Sequence, residues 1–205
     1  MKLQIEEPLH AGTNLRWIRN FLSPEQIEEL LQTAQHTGYQ KSTVVTNDGF
    51  KEHPDRTSES CWLLKSHTPL IRYIEDQVCQ ITGCTLDDIE PIQMVKYGKG
   101  QKYLAHFDYF DTKSGQKEID DRSQRVVTIL AYLVKPTEGG ETYFPRLNIT
   151  IEPSVGDAVM WENCHKKTEQ GTYGDVNPLT EHGGMPVKQD IKIAMNVWCR
   201  SRNTI

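Results

Sequence analysis

From Pro91 to Arg200 the chain is a succession of short runs rich in strand formers, separated by turn residues and with no helical period between them. PIQMVKY, KYLAHFDYF, RVVTILAYLV, ETYFP, NITIEP, DAVMWEN and KIAMNVWCR are the candidate strands. Strands that follow one another at this spacing are expected to close into a sandwich or barrel of the jelly-roll kind. The expected class is therefore mainly β, with the helices of the first third packed outside one sheet.

Two helices are legible in that first third. SPEQIEELLQTAQHTG carries Ser23 as N-cap, Pro24 at the first helical position and Gln26 closing a capping box, with Gly38 as the stop. Its apolar face is Ile27, Leu30, Leu31 and Ala34. TPLIRYIEDQVCQITG repeats the device with Thr68, Pro69 and Gly83, and presents Ile71, Ile74, Val78 and Ile81. The polar stretches 40–60 and 111–124 read as long loops, which in compact domains are often lids or binding loops. Length fits one domain, with 1–90 as helical support and substrate-side loop and 91–200 as the β core of a 1–205 unit.

Composition removes several classes. With 37% hydrophobic and 25% charged residues the chain reads as soluble and globular. A net charge of −5 leaves no electrostatic footprint for nucleic acid. No apolar run approaches the length of a membrane span, and the first residues lack the apolar core of a signal peptide. Cys61, Cys79, Cys84, Cys164 and Cys199 show no CxxC pair, so neither a zinc site nor a dense disulfide framework is expected, with room left for one bridge. Compartment is not readable from these features.

The stretch that carries chemistry is YLAHFDYF, residues 103–110. On a strand, residues two apart share a face, so His106 and Asp108 are expected side by side with Phe107 on the other face. An imidazole and a carboxylate are two thirds of a metal site. The best-placed third ligand is His182, which precedes two glycines permitting close backbone approach. Two histidines and one carboxylate with open positions is the ligand set of non-haem Fe(II) oxygenases. His10, His36, His53, His67 and His165 have no comparable partners.

Residues 91–200 resemble the collagen-type prolyl 4-hydroxylases, most closely the short stand-alone chlorella-virus, algal and bacterial members. The resemblance runs in order through VKYGKGQKYLAHFDYF, RVVTILAYL, GGETYFP, PSVGDAVMW and EHGGMPV, and through Lys192 followed by Trp198. It continues more weakly through SPEQIEEL and DRTSESCWL. It implies a double-stranded β-helix, a form of jelly roll. It implies Fe(II) held by His106, Asp108 and His182, with 2-oxoglutarate and O2 as cosubstrates and L-ascorbate as reductant. By the same resemblance Lys192 pairs with the distal carboxylate of 2-oxoglutarate, with Thr142 and Tyr97 beside it. Tyr103, Arg125 and Trp198 match positions around the peptide or the catalytic pocket, and Arg56 in DRTSES is a further peptide-side candidate.

The activity implied is hydroxylation of peptidyl proline at C4 in proline-rich or collagen-like sequences, with 2-oxoglutarate converted to succinate and CO2. Proline-rich chains already populate polyproline II, so docking them into an aromatic groove costs little ordering entropy. The resemblance suggests a viral protein acting in a host cell, and a monomer is the default. One departure concerns Asp190, where many relatives carry glycine two residues before the lysine; aspartate tolerates left-handed turns better than most residues, so the turn is expected to survive. The alternatives are another 2-oxoglutarate oxygenase on the same fold and an inactive peptide-binding relative.

Overall fold

The computed structural model describes residues 2–46, 49–111, 113–152, 154–166 and 173–201. In chain order its main elements are β1 (Arg16–Arg19), α1 (Pro24–Thr37), β2 (Glu59–Leu63), α2 (Pro69–Thr82), β3 (Ile92–Tyr97), β4 (Tyr103–His106), α3 (Gln116–Arg122), β5 (Arg125–Val134), β6 (Thr142–Phe144), β7 (Ile149–Ile151), β8 (Ala158–Glu162), β9 (His182–Gly184) and β10 (Lys192–Arg200). These strands pair into two antiparallel sheets, beside which the described residues form three two-stranded ribbons. The larger has the order Gln4–Ile5, β1, β8, β5, β10, β3, β2, Gln40–Lys41, and the smaller the order β7, β6, β9, β4.

The helices form where the capping residues place them. Ser23 accepts from the Gln26 amide while its own amide donates to Gln26 Oε1, and Thr68 accepts from the Ile71 amide. Each satisfies amides that the first helical turn leaves open. The buried stripes, Ile27, Leu30 and Ala34 on α1 and Ile71, Ile74 and Val78 on α2, pack on the outer face of the large sheet against Cys61, Leu63, Ile92 and Met94. Leu31 and Ile81 sit half-buried at the margin. A second core lies between the sheets, where Val95, Tyr97, Leu130 and Ala194 meet Phe144, Ile151 and Val187.

Three expectations are corrected. The N-terminal third is not only helical support, because β1 and β2 flank the large sheet at either side of the β core. They bury Ile18 in β1 and Cys61 and Leu63 in β2, a pattern too short to stand out beside two long helices. The stretch 40–60 holds a hairpin, Val44–Thr46 with Gly49–Lys51, and 111–124 holds α3. Positions 47, 48 and 112 of these stretches lie outside the described residues. Finally, β4 ends at His106 instead of running on to Phe110. All five cysteines are free, and no described helix is long and apolar enough to cross a membrane.

Candidate metal centre and its cavity

β4 and β9 are neighbours in the small sheet, and their register sets His106 opposite His182. Close approach of the two strands depends on Gly183, where a Cβ would stand 2.9 Å from the Tyr103 carbonyl oxygen. The two imidazole centroids are 4.5 Å apart. Asp108 lies past the end of β4, so a bend in the chain, not the pleat of a strand, swings its carboxylate back toward His106. Its oxygens are 3.7 Å from His106 Nε2 and 3.7 Å from His182 Nε2. One donor atom from each of the three residues falls within 4.8 Å of the others.

The donor set fits a metal ion. The Nδ1 of His106 is 2.8 Å from the Leu104 carbonyl oxygen, and that of His182 is 2.9 Å from the Thr180 carbonyl oxygen. A carbonyl only accepts, so each Nδ1 carries the proton and each Nε2 presents a lone pair to the cluster. Burial pushes His182 down to about 4 against the opposing pull of Asp108, which keeps the ring neutral as ligation requires. For Asp108 burial pulls upward, but the positive charge around it, Arg125 included, outweighs it and holds the carboxyl well below its ordinary range.

Two residues that orient Asp108 were not picked out in the sequence. Thr128 Oγ1 donates to Asp108 Oδ2 at 2.8 Å and accepts from Asn163 Nδ2 at 2.9 Å. Both are fully buried. A hydroxyl in the middle of the apolar run RVVTILAYLV was the available signal for Thr128; Asn163, just past the end of a strand, offered none.

The cluster opens into a cavity of about 640 Å³ between the sheets, which also takes in Lys192, Thr142, Tyr97, Tyr103, Arg125, Trp198 and Arg56. Every residue singled out in the sequence is thus brought to one space. Lys192 is 4% exposed and its Nζ donates to the Gly140 carbonyl at 2.7 Å, with Thr142 Oγ1 at 3.5 Å. Among the described residues no carboxylate is in contact with it, and burial, opposed by the more distant Glu141, lowers it to about 8. Thr142 Oγ1 accepts from the Tyr132 hydroxyl at 2.8 Å, which leaves its own proton for another acceptor. An ammonium and a hydroxyl proton aimed together are a receptor for an anion. Asp190 takes the left-handed conformation, φ 68°, and accepts from the Thr137 hydroxyl, so the turn that launches β10 keeps Lys192 in this position.

The far wall is aromatic and cationic. The Arg125 guanidinium lies 3.6 Å from the Trp198 ring centroid and holds Glu90 through Nε at 2.6 Å and Nη2 at 2.8 Å. Arg200 shares the same carboxylate, so Arg125 is held by a buried network instead of facing solvent. Trp62 leans on Trp198 at 6.0 Å, and Tyr103 stacks on His106 at 3.6 Å under the Arg56 guanidinium.

The chain is similar to known proteins. A model of the 2OG-Fe(II) oxygenase superfamily matches residues 92–200. Prolyl 4-hydroxylase 2 of Arabidopsis thaliana is 31% identical over 201 residues, covering 87% of this chain and 64% of the plant protein, so the chain spans about two thirds of that relative. The solved viral collagen prolyl hydroxylase of Paramecium Bursaria Chlorella virus-1, in its 2OG complex, superposes with a TM-score of 0.71 at 26% identity over 92% of this chain and 96% of that one. A Pseudomonas putida prolyl-4-hydroxylase shares the fold, with a TM-score of 0.61 at 16% identity over 94% and 95% of the two chains. The two facing sheets are the double-stranded β-helix of these neighbours.

Proposed function

This chain belongs to the 2OG-Fe(II) oxygenase superfamily, and we propose that it hydroxylates peptidyl proline at C4 in proline-rich or collagen-like sequences, with conversion of 2-oxoglutarate to succinate and CO2. The observation that carries the reading is one cavity holding both a His-Asp-His donor cluster and a buried ammonium with no carboxylate partner among the described residues. The relatives' activity on proline and the aromatic wall support the peptide substrate.

His106, Asp108 and His182 would hold the iron, with Thr128 fixing the carboxylate. Iron supplies, with O2 and 2-oxoglutarate, the oxidising power that no side chain has, and ascorbate keeps it ferrous. Lys192 and Thr142 bind the distal carboxylate of 2-oxoglutarate, with the Tyr97 ring closing the wall beside them. A buried carboxylate and a buried ammonium each cost several kcal/mol alone, on the order of an unpaired buried ion, and offset one another when paired. Tyr103, Arg125, Trp198 and Arg56 line the peptide side, where stacked rings and guanidinium groups exclude water and present flat faces to proline rings. The whole chain acts as one catalytic unit, since β1 and β2 complete the sheet that carries β3 and β10. We also propose that it works as a monomer, which light scattering on the purified protein checks.

The experiment is mass spectrometry of a peptide panel incubated with Fe(II), ascorbate and 2-oxoglutarate. A gain of one oxygen on proline, matched by succinate, is expected. Oxygen placed on another residue, or succinate release stimulated only by non-peptide compounds, rejects the proline assignment; peptide binding without succinate marks an inactive relative.

A further inference from the structure

The floor of the cavity is built in ranks, because β3 and β10 are adjacent and in register. Lys192 stands opposite Tyr97, Ala194 opposite Val95, and Asn196 opposite Gln93. Residues two apart share a face, so all three ranks look into the cavity at a spacing of roughly 6.6 Å. The first rank is charged, the second small and apolar, the third a pair of carboxamides. Neither the metal cluster nor the anion receptor uses that third rank.

Its polarity is fixed by its neighbours. Arg56 Nη2 lies 3.1 Å from Gln93 Oε1, and a guanidinium has no acceptor, so the Gln93 atom facing it must be oxygen. Asn196 Nδ2 donates to the same oxygen at 3.2 Å. Gln93 Nε2 and Asn196 Oδ1 are thereby left over. Among the described residues neither finds a protein partner, although Gln93 is only 2% exposed, and neither is sealed off from the cavity. Both atoms are open to the cavity, so the site presents a donor and an acceptor side by side to a ligand with the complementary pair. A peptide main chain is such a ligand. Trp62, in register with Gln93 on β2, and Trp198 rise beside the pair as its aromatic walls.

We propose that Gln93 and Asn196 grip the main chain of the substrate peptide, Gln93 Nε2 donating to a peptide carbonyl and Asn196 Oδ1 accepting from a peptide N–H. The inference rests on the peptide reading above and sharpens its specificity. Proline has no N–H, so a chain of prolines alone satisfies only half of the grip. The favoured substrate carries a residue other than proline beside the gripped carbonyl, and interrupted repeats are better substrates than uninterrupted polyproline.

The discriminating variant is Gln93→Glu, which keeps an oxygen for Arg56 and Asn196 but replaces the donor with a second acceptor. KM for an interrupted proline peptide is expected to rise at least tenfold while KM for 2-oxoglutarate moves less than twofold. The peptide Kd, measured by calorimetry on protein loaded with Zn(II) and 2-oxoglutarate, should rise by the same factor. If Gln93→Glu does not fold, Gln93→Met is expected to give the same split. In a parallel series, N-methylating the peptide at one position should weaken binding to the parent protein tenfold and leave binding to Asn196→Ala unaltered. Peptide KM and Kd within twofold of the parent overturn the grip while leaving the hydroxylase reading intact; a parent protein that oxidises no peptide overturns that reading instead.

Discussion

Among single residues, Lys192 has the most consequence per atom. Its ammonium is buried, its hydrogen bonds go to a carbonyl and a hydroxyl, and no described carboxylate is in contact with it, which leaves room for that of a ligand. Lys192→Ala is expected to raise the KM for 2-oxoglutarate by about two to four orders of magnitude, the effect of stranding a buried carboxylate at ~3–5 kcal/mol. Metal affinity, measured by titration without 2-oxoglutarate, should barely change. Burial lowers Lys192 to about 8, so the cation is present below that pH and lost above it. The affinity of the free protein for 2-oxoglutarate should therefore fall as pH rises through about 8, and Lys192→Arg should flatten the fall. Thr128 acts more quietly. Thr128→Val removes the hydroxyl that orients Asp108, and metal affinity should drop by about 10–100-fold with little loss of fold. Sequence reading found the ligands because HxD and the distant histidine have a chemical pattern, but Thr128 and Asn163 became visible only when folding brought β5 and the end of β8 against Asp108.

At the scale of elements, the last strand is a ruler whose zero is set by the turn before it. Asp190 holds φ 68°, a conformation most side chains resist. Asp190→Gly should keep 2-oxoglutarate binding within a few-fold, whereas Asp190→Val should cost about 1–2 kcal/mol and shift Lys192. Melting curves and 2-oxoglutarate titrations read the two effects separately. The long helices were legible from their caps and their 3.6-residue period, as was β5 from its long, largely apolar run. β4 was not read correctly, because aromatics on both sides of His106 look like a continuing strand while the chain bends after it. The N-terminal strands were missed for a different reason: four or five residues give too little alternation to recognise, and their pairing with β8 and β3 is a tertiary fact.

For the whole molecule, ligand binding and folding are coupled. The donors of the metal cluster come from β4, the bend beyond it and β9, and Lys192 comes from β10, so a bound ion and cosubstrate tie the small sheet to the large one. Mn(II) with 2-oxoglutarate, each at about 100 times its Kd, should add ~2.7 kcal/mol per site to stability and raise Tm by several degrees. His182→Ala should abolish the metal-dependent part, and a chelator should reverse it. The class of fold was legible because antiparallel strands at short spacing have few ways to close, and the helices had only the outer face of one sheet to cover.

Both ligating rings are aimed by the main chain two residues upstream, His106 by the carbonyl at 104 and His182 by the carbonyl at 180. A substitution at either position swaps a side chain but cannot delete that oxygen. The aim of both imidazoles is thus written into the backbone and survives any change of side chain that keeps its path, whereas the helpers of Asp108, being side chains, carry no such insurance.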